Sequence, residues 1–178
     1  MLLRYPVALA LAFAVAHLHN TPWLSENWGT QDIYFFASGI EISSISGPRV
    51  YVSKSSSATS SSQESAQSSS AHTVRNKRVF ALGLALLELS YGKPILSFQT
   101  ADDLHAQEGE LSVVKESIAN RLVFEIGNRE SPNYAKAVTR CITGEFNCSE
   151  TSSFDNKEFW ECFHKGVIGP LQADFVSL

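Results

Sequence analysis

Cysteine and positive charge are both scarce in this sequence. The 178 residues include 3 cysteines, all in the last quarter, with no C-x-x-C pair and no metal-ligand spacing to histidine. This pattern favours reduced, partly buried thiols, and a single disulfide with one thiol left over is the alternative. Lys and Arg number 14 against 18 Asp and Glu and are scattered. We therefore expect no basic surface for nucleic acid.

A long apolar run is also missing, and the N-terminal apolar segment allows two interpretations. It is too short for a transmembrane helix, so no membrane insertion is expected. Residues 1–16 fit a secretory signal peptide that ends in an A-x-A cleavage site at residues 14–16. We favour the second interpretation, in which residues 2–20 form a buried helix of a cytoplasmic protein. That helix is expected to bury Leu9, Phe13 and Leu18 against the segment described next.

The most apolar segment runs from residue 78 to residue 94 and predicts a buried helix. It is apolar on nearly every face, so other elements must enclose it, and we expect it to form the centre of the core. Thr73 is its predicted N-cap. Gly92 fits the left-handed position that ends a helix, and Pro94 prevents continuation.

Two short segments rich in aromatic and β-branched residues predict strands. They cover residues 32–36 and 49–53, and the Ser, Gly and Pro between them indicate a β-hairpin. Residues 53–72 are Ser-rich and hold no apolar side chain larger than Ala, so we expect a disordered insertion. A phosphorylatable regulatory loop is the functional alternative to an unconstrained insertion.

Three further helices are predicted in the second half of the chain. The first covers residues 111–126, and the last begins at Ser153 or Asp155 and is broken near residues 169–170. The middle helix is capped by Ser131, with Pro132 at its first position. It has one apolar face: Tyr134, Ala137, Val138, Cys141 and Ile142. The predicted fold is mainly α (α+β), a helical bundle around a central buried helix with one small β-hairpin.

Chemically useful side chains are present, but not in catalytic arrangements. No G-x-S-x-G motif frames a serine nucleophile. His17 and His19 are two residues apart, which places them on different faces of a helix and makes them poor joint metal ligands. Glu88 is a carboxylate within an apolar helix, where burial is expected. All three tryptophans are expected in the core: Trp23, Trp28 and Trp160.

The order of these elements resembles the C-lobe of protein kinases. In that lobe a helix ending in Leu-His precedes the catalytic loop, and a strand pair, the activation segment, a central helix and a helical bundle follow. Residues 16–20 resemble the end of the first helix, and residues 31–35 resemble the strand after the catalytic loop. Residues 78–94 resemble the central helix, and residues 137–142 resemble a late helix of the bundle. The Ser-rich segment stands where the activation segment would be.

The whole chain is also similar to a fungal family of unknown function whose C-terminal half is a degenerate kinase-like lobe. That family has a Leu-His-x-Thr-Pro-Trp-Leu segment, a Trp, an Asp-Ile strand, an Arg-Asn pair and a Pro-Leu pair, in that order. The corresponding residues here are 18–24, Trp28, 32–33, 75–76 and 170–171. Longer members carry an N-terminal helical region that has been likened to the HeLo domains of fungal incompatibility proteins, and the resemblance implies that this region is missing here.

The kinase resemblance implies a lobe without catalysis. A kinase needs a catalytic-loop Asp, an Asn and a DFG Asp that hold magnesium, and a Lys under a Gly-rich loop. Residues 24–32 contain no His-Arg-Asp, residues 45–48 have no acid at the DFG position, and Arg78 replaces the Asp that begins the central helix. Asp32 stands where the metal-binding Asn would be and is only a weak candidate for cofactor or cation binding. The resemblance thus implies no catalytic residues, no cofactor and no resident metal, with Glu88 pairing structurally to a cation or to backbone donors.

We therefore expect a non-catalytic, pseudokinase-type interaction or regulatory module of a fungal protein. It would be a single domain over residues 1–178 without an N-lobe, with an unidentified protein partner, no nucleic acid and no membrane. The alternative is a small secreted fungal protein whose mature chain begins at His17. A third hypothesis is a residual nucleotide-binding or phosphotransferase activity, which Asp32→Ala would abolish.

Overall fold

Helices make up most of the described residues, as the sequence predicts. A computed structural model describes residues 4–26, 28–35, 50–52, 76–105, 111–148 and 153–177, and the predicted Ser-rich insertion lies outside them. Within this part of the chain, no helix is long and apolar enough to cross a membrane. The helices are α1 (Arg4–Leu18), α2 (Lys77–Tyr91), α3 (Ala101–His105), α4 (Leu111–Ile126), α5 (Pro132–Thr143), α6 (Lys157–Phe163) and α7 (Gly169–Val176). Two 3-10 turns cover Thr30–Asp32 and Ile95–Phe98, and a π-helical turn covers His164–Ile168.

Two short strands pair between α1 and α2. Strand β1 (Ile33–Phe35) is antiparallel to β2 (Val50–Val52), with Ile33 opposite Val52. Both strands lie inside the segments that the aromatic and β-branched pattern predicts. The connection over residues 36–49 lies outside the described residues, so the predicted β-hairpin connection stays a prediction.

Helix α2 has a polar N-cap and a left-handed C-terminal residue. The backbone N–H groups of Arg78 and Val79 donate to the Asn76 side chain at 3.0 and 3.2 Å. The prediction of Thr73 as the cap is wrong, because the helix begins after Asn76, the nearer residue with a capping side chain. At the other end Gly92 has a φ of 67° and its N–H donates to the Glu88 carbonyl at 2.8 Å. The predicted end of the helix is confirmed.

The core has two central helices rather than one. Helix α2 packs against α1, α4 and α5, while α5 packs against α2, α4, α7 and the π turn. Ser131 caps α5 by accepting from the Tyr134 N–H at 3.0 Å, and Gly144 ends it with a φ of 75°. The Tyr134 hydroxyl donates to the Leu86 carbonyl at 2.8 Å and ties α5 to α2. The five residues predicted for the apolar face of α5 are its buried residues.

Helix α1 belongs to the same core but buries another face than predicted. Leu9, Phe13 and Leu18 are only half-buried, so their predicted burial is wrong. Alanines recur every four residues along the buried face, and their small side chains let α1 come close to its neighbours α2, α7 and the π turn. The buried residues of α1 are Val7, Ala8, Leu11, Ala12, Val15 and Ala16.

The last helical segment begins and continues differently from the prediction. Its N-cap is Asn156, which accepts from the Glu158 N–H at 2.9 Å, rather than Ser153 or Asp155. The predicted break at residues 169–170 is wrong, because the π turn carries the helix from α6 into α7. A π turn widens the backbone spiral and so accommodates Pro170 without ending the helix.

The three tryptophans occupy three different environments. Trp28 is buried, and its indole N–H donates to the Arg78 carbonyl at 3.2 Å. Trp160 is half-buried and stacks on His164 with ring centroids 5.3 Å apart. Trp23 is 56% exposed, so its predicted core position is wrong.

Candidate functional site

A groove lies between α1 and the C-terminal half of α2. Its volume is about 290 Å³. The first 3-10 turn and β1 close one side, and the turn after α2 closes the end. The lining residues are Val7, Leu11, Thr30, Ile33, Ala85, Glu88, Leu89, Gly92, Lys93 and Pro94.

Local sequence explains how each wall of the groove forms. Helix α1 contributes Val7 and Leu11, which lie one turn apart on its buried face. Helix α2 contributes Ala85 and Leu89, which also lie one turn apart. Gly92 adopts the left-handed conformation that ends α2, so the following residues turn across the end of the groove instead of continuing the helix.

Glu88 is the acidic group of the groove, and both of its oxygens are engaged. One oxygen accepts the backbone N–H of Ile95 at 2.7 Å, and the other accepts the hydroxyl of Thr30 at 2.5 Å. The carboxylate thereby joins α2 to the turn that follows it and to the turn before β1. The Glu88 side chain is half-buried.

Asp32, the one residue predicted as a weak cofactor candidate, serves a local turn. Its carboxylate accepts the Gly29 N–H at 3.0 Å and closes the 3-10 turn that leads into β1. It lies between two groove residues in sequence, Thr30 and Ile33, without lining the groove itself. Over the described ranges, no cluster of three or more His, Cys, Asp or Glu residues could hold a metal ion.

The two N-terminal histidines lie apart from the groove. His17 is exposed, and its ring stacks on Phe13 with centroids 6.1 Å apart. His19 is half-buried, and its Nδ1 lies 2.8 Å from the Ala16 carbonyl, where it satisfies a carbonyl at the end of α1. Its Nε2 lies 3.9 Å from an Asp155 carboxylate oxygen, so the ring also connects α1 to the segment before α6.

The groove combines an apolar surface with a few polar groups. Glu88 can only accept hydrogen bonds while it is ionised, and each of its oxygens has room for a further donor. Lys93 adds one exposed ammonium group at the rim. Such a site can bind an apolar group together with a hydrogen-bond donor.

Sequence reasoning missed Thr30, Lys93 and the groove as a whole. The one available signal was Glu88, an acid inside a helix that is otherwise apolar. Thr30 and Ile95 have no such signal, because they meet Glu88 only after α1, the strand pair and α2 have packed.

Comparisons with known proteins give one family match. The model of the family described as "Domain of unknown function (DUF7580)" matches residues 4–177. No curated protein and no solved structure matches the chain.

Proposed function

We propose a function for this chain, which belongs to the family described as Domain of unknown function (DUF7580). It is a non-catalytic protein-interaction or regulatory module. The groove between α1 and α2 is its binding surface. The partner is a protein that inserts an apolar side chain between the two helices and presents a hydrogen-bond donor to Glu88. The observation that carries this proposal is an apolar groove with one well-held acceptor at its edge.

We further propose that the family is the fungal one described above, with a degenerate kinase-like lobe and relatives that carry a HeLo-like region. The order of elements supports this proposal: α1, an antiparallel strand pair, α2 and a helical bundle follow one another. The Arg78 side chain supports the degeneracy. It donates a hydrogen bond to the Leu24 carbonyl at 3.2 Å. An ionised Asp at the same position has no donor and could not form this hydrogen bond.

A non-catalytic role also fits the surroundings of Asp32. The Asp32 carboxylate accepts the Gly29 N–H and closes the 3-10 turn before β1, which gives this side chain a structural role. Phosphoryl transfer requires several positioned groups at once. Residues 24–32 contain no His-Arg-Asp motif, and residues 45–48 contain no acid. Binding, rather than group transfer, is the function that these residues support.

Titration with Mg²⁺ and ATP tests the non-catalytic part of the proposal. Isothermal calorimetry of the full chain is expected to show no nucleotide binding, with or without Mg²⁺. Magnesium-dependent binding that Asp32→Ala abolishes would overturn the proposal in favour of residual nucleotide binding. Asp102→Ala, which changes an exposed acid elsewhere in the chain, is the matched control.

A pair of matched substitutions tests the groove. Leu89→Gln places a polar side chain in the groove wall, whereas Phe124→Gln changes an apolar residue on α4 that is 86% exposed and lines no part of the groove. Partners recovered from the native host with the wild-type chain are purified and their affinities measured. Leu89→Gln is expected to weaken binding about tenfold or more, the effect of roughly 1.4 kcal/mol, and Phe124→Gln to leave it unchanged. Equal affinities for both variants would contradict the groove as the binding surface.

We propose a cytoplasmic location, and the mass of the N-terminus tests it. The packing of Ala8, Leu11 and Val15 supports a chain that keeps α1. The protein is expressed in a fungal host, and its N-terminal mass is determined in lysate and medium. Lysate protein that retains α1 supports the proposal, and secreted protein that begins at His17 supports the alternative.

A further inference from the structure

Two of the three cysteines meet at the surface of α6. Cys148 lies in the segment that follows α5, and Cys162 lies on α6. Both are free and half-buried, and their thiols are within hydrogen-bonding reach of each other. The sequence gives no sign of this pairing, because the two residues form no C-x-x-C motif.

Aromatic packing holds the segment of Cys148 against α6 independently of the thiols. Gly144 ends α5 with a φ of 75° and directs the chain toward α6. The Phe146 ring then packs against Phe159 at 5.3 Å and against Phe163 at 6.0 Å between centroids. Those two phenylalanines are buried and lie near Cys162 on α6. Asn147 has a φ of 51°, a left-handed turn that occurs immediately before Cys148.

The third cysteine is in a different environment. Cys141 is fully buried within α5, among the apolar residues of the core. Full burial keeps oxidants away from its thiol, and it also raises the pKa of that thiol. Cys141 therefore provides an internal reference for the two thiols at α6.

We propose that Cys148 and Cys162 are a modification site that forms a reversible intramolecular disulfide. The oxidant is a peroxide or a disulfide of the glutathione type. With peroxide, one thiol loses its proton and attacks a peroxide oxygen, which yields a sulfenic acid and one water. The second thiol attacks the sulfenic sulfur and releases a second water, so two thiols are oxidised to one S–S bond while one peroxide is reduced.

The reduced pair is the resting form of this site. Burial raises the pKa of the Cys148 thiol to about 11, and neighbouring Cys162 and Glu158 raise it as well. A thiol of this kind remains protonated at neutral pH and reacts slowly. The disulfide joins the end of the segment after α5 to α6, and it closes the chain between residues 148 and 162 into a loop. This inference is independent of the proposed function.

Equilibration of the full chain in glutathione redox buffers tests the disulfide. Free thiols are blocked by alkylation, and the products are identified by intact mass and by peptide mapping. The wild type and Cys141→Ser are each expected to lose two hydrogen atoms and to yield a crosslinked peptide containing Cys148 and Cys162. Cys148→Ser and Cys162→Ser are each expected to take up one glutathione instead.

A melting measurement adds a second readout. A disulfide that closes this short loop is expected to raise the Tm of the oxidised wild type by about 5–10 °C over its reduced form, and Cys148→Ser is expected to show no such rise. Glutathione uptake on both cysteines of the wild type would overturn the proposal. A crosslink that forms only between chains, or one that involves Cys141, would overturn it equally.

Discussion

At the scale of single residues, a close contact between the two central helices depends on a glycine. A Cβ added to Gly83 would lie 2.6 Å from Cδ1 of Ile142 and 3.0 Å from Cβ of Cys141. The Ile142 methyl can move, but the Cys141 Cβ is attached directly to the α5 backbone. Alanine at residue 83 would therefore push α2 and α5 apart.

Gly83→Ala is expected to lower the free energy of unfolding by about 1–3 kcal/mol, the usual cost of overpacking. This loss would occur although alanine favours a helix over glycine by about 1 kcal/mol. Urea denaturation measures the difference. Gly127→Ala is the matched control, because a Cβ at Gly127 meets nothing within 4 Å. Equal effects of the two substitutions would show that the contact with α5 does not limit residue 83.

A second residue-scale feature is the buried carboxylate of Asp103. Its oxygens accept the Thr100 N–H and hydroxyl, both at 2.8 Å, the Ser117 hydroxyl at 2.7 Å and the Arg121 guanidinium at 3.0 Å. Burial alone would raise the pKa of the Asp103 carboxyl. The hydrogen bonds from Ser117 and Thr100 outweigh the effect of burial, and the charge of Arg121 adds to them, so the pKa falls from 3.8 to about 2.

A pKa that is lower in the folded state makes stability depend on pH. The ionised carboxylate contributes about 2 kcal/mol above pH 4, and this contribution is lost as the pH falls from about 4 to about 2. Asp103→Asn is expected to be less stable at pH 7 and to show a flatter decline of unfolding free energy over that interval. Asp102→Asn, an exposed neighbour on the same helix, is expected to keep the wild-type decline. A wild-type slope in Asp103→Asn would contradict the assigned role.

At the scale of elements, Arg140 of α5 donates a hydrogen bond to the Gly166 carbonyl, whose usual helical donor is missing because residue 170 is a proline. In a regular α-helix the Gly166 carbonyl would accept from the N–H of residue 170, but Pro170 has none. The Arg140 guanidinium donates to that carbonyl at 3.0 Å instead. Gly166 itself leaves room for this contact, since an added Cβ would lie 3.0 Å from the Arg140 guanidinium nitrogen. The π turn and α5 are thereby connected at the point where a break was predicted.

A double-mutant cycle tests this compensation. Arg140→Met is expected to lower the unfolding free energy by about 1–3 kcal/mol, because it removes the charge-assisted hydrogen bond to the Gly166 carbonyl. In a Pro170→Ala background, the loss of unfolding free energy caused by Arg140→Met is expected to be smaller by about 1 kcal/mol, since residue 170 then has an N–H that can donate to the carbonyl. Chemical denaturation measures all four variants. Lys136→Met, at an exposed position of α5, is the control, and strict additivity would contradict the explanation.

The helix boundaries show which helix ends can be predicted from the local sequence. Gly92, Ser131 and Pro132 have strong local preferences, and the structure uses each as predicted. The first residue of a helix was harder to predict where several nearby residues could serve as its N-cap. Asn76 and Asn156 are the actual caps of α2 and α6, because packing decides which turn begins the helix.

At the scale of the whole molecule, α1 connects residues that are distant in the chain. Arg4 forms an ion pair with Glu130, whose side chain is only 2% exposed, and the Ser90 hydroxyl donates to the same carboxylate at 2.6 Å. The ring of Tyr5 packs edge-on against Tyr134 at 5.7 Å between centroids. Loss of α1 would remove apolar core contacts and leave a buried carboxylate without its cation.

A chain that begins at His17 is therefore expected to lack a cooperative unfolding transition. Circular dichroism during heating measures this loss. Removal of residues 1–3 alone, which keeps all of α1, is the control and is expected to melt like the full chain. A cooperative transition in the longer truncation would show that the remaining helices form a core without α1.

The molecule as a whole divides into features that local sequence determines and features that only packing decides. Periodic apolar residues and turn residues were sufficient for the mainly α class, for the strands near Ile33 and Val52 and for the buried face of α5, because these depend on neighbours along the chain. The buried face of α1, the groove around Glu88 and the meeting of Cys148 with Cys162 depend on distant elements. Their positions follow from close packing between helices, so only the tertiary structure decided them.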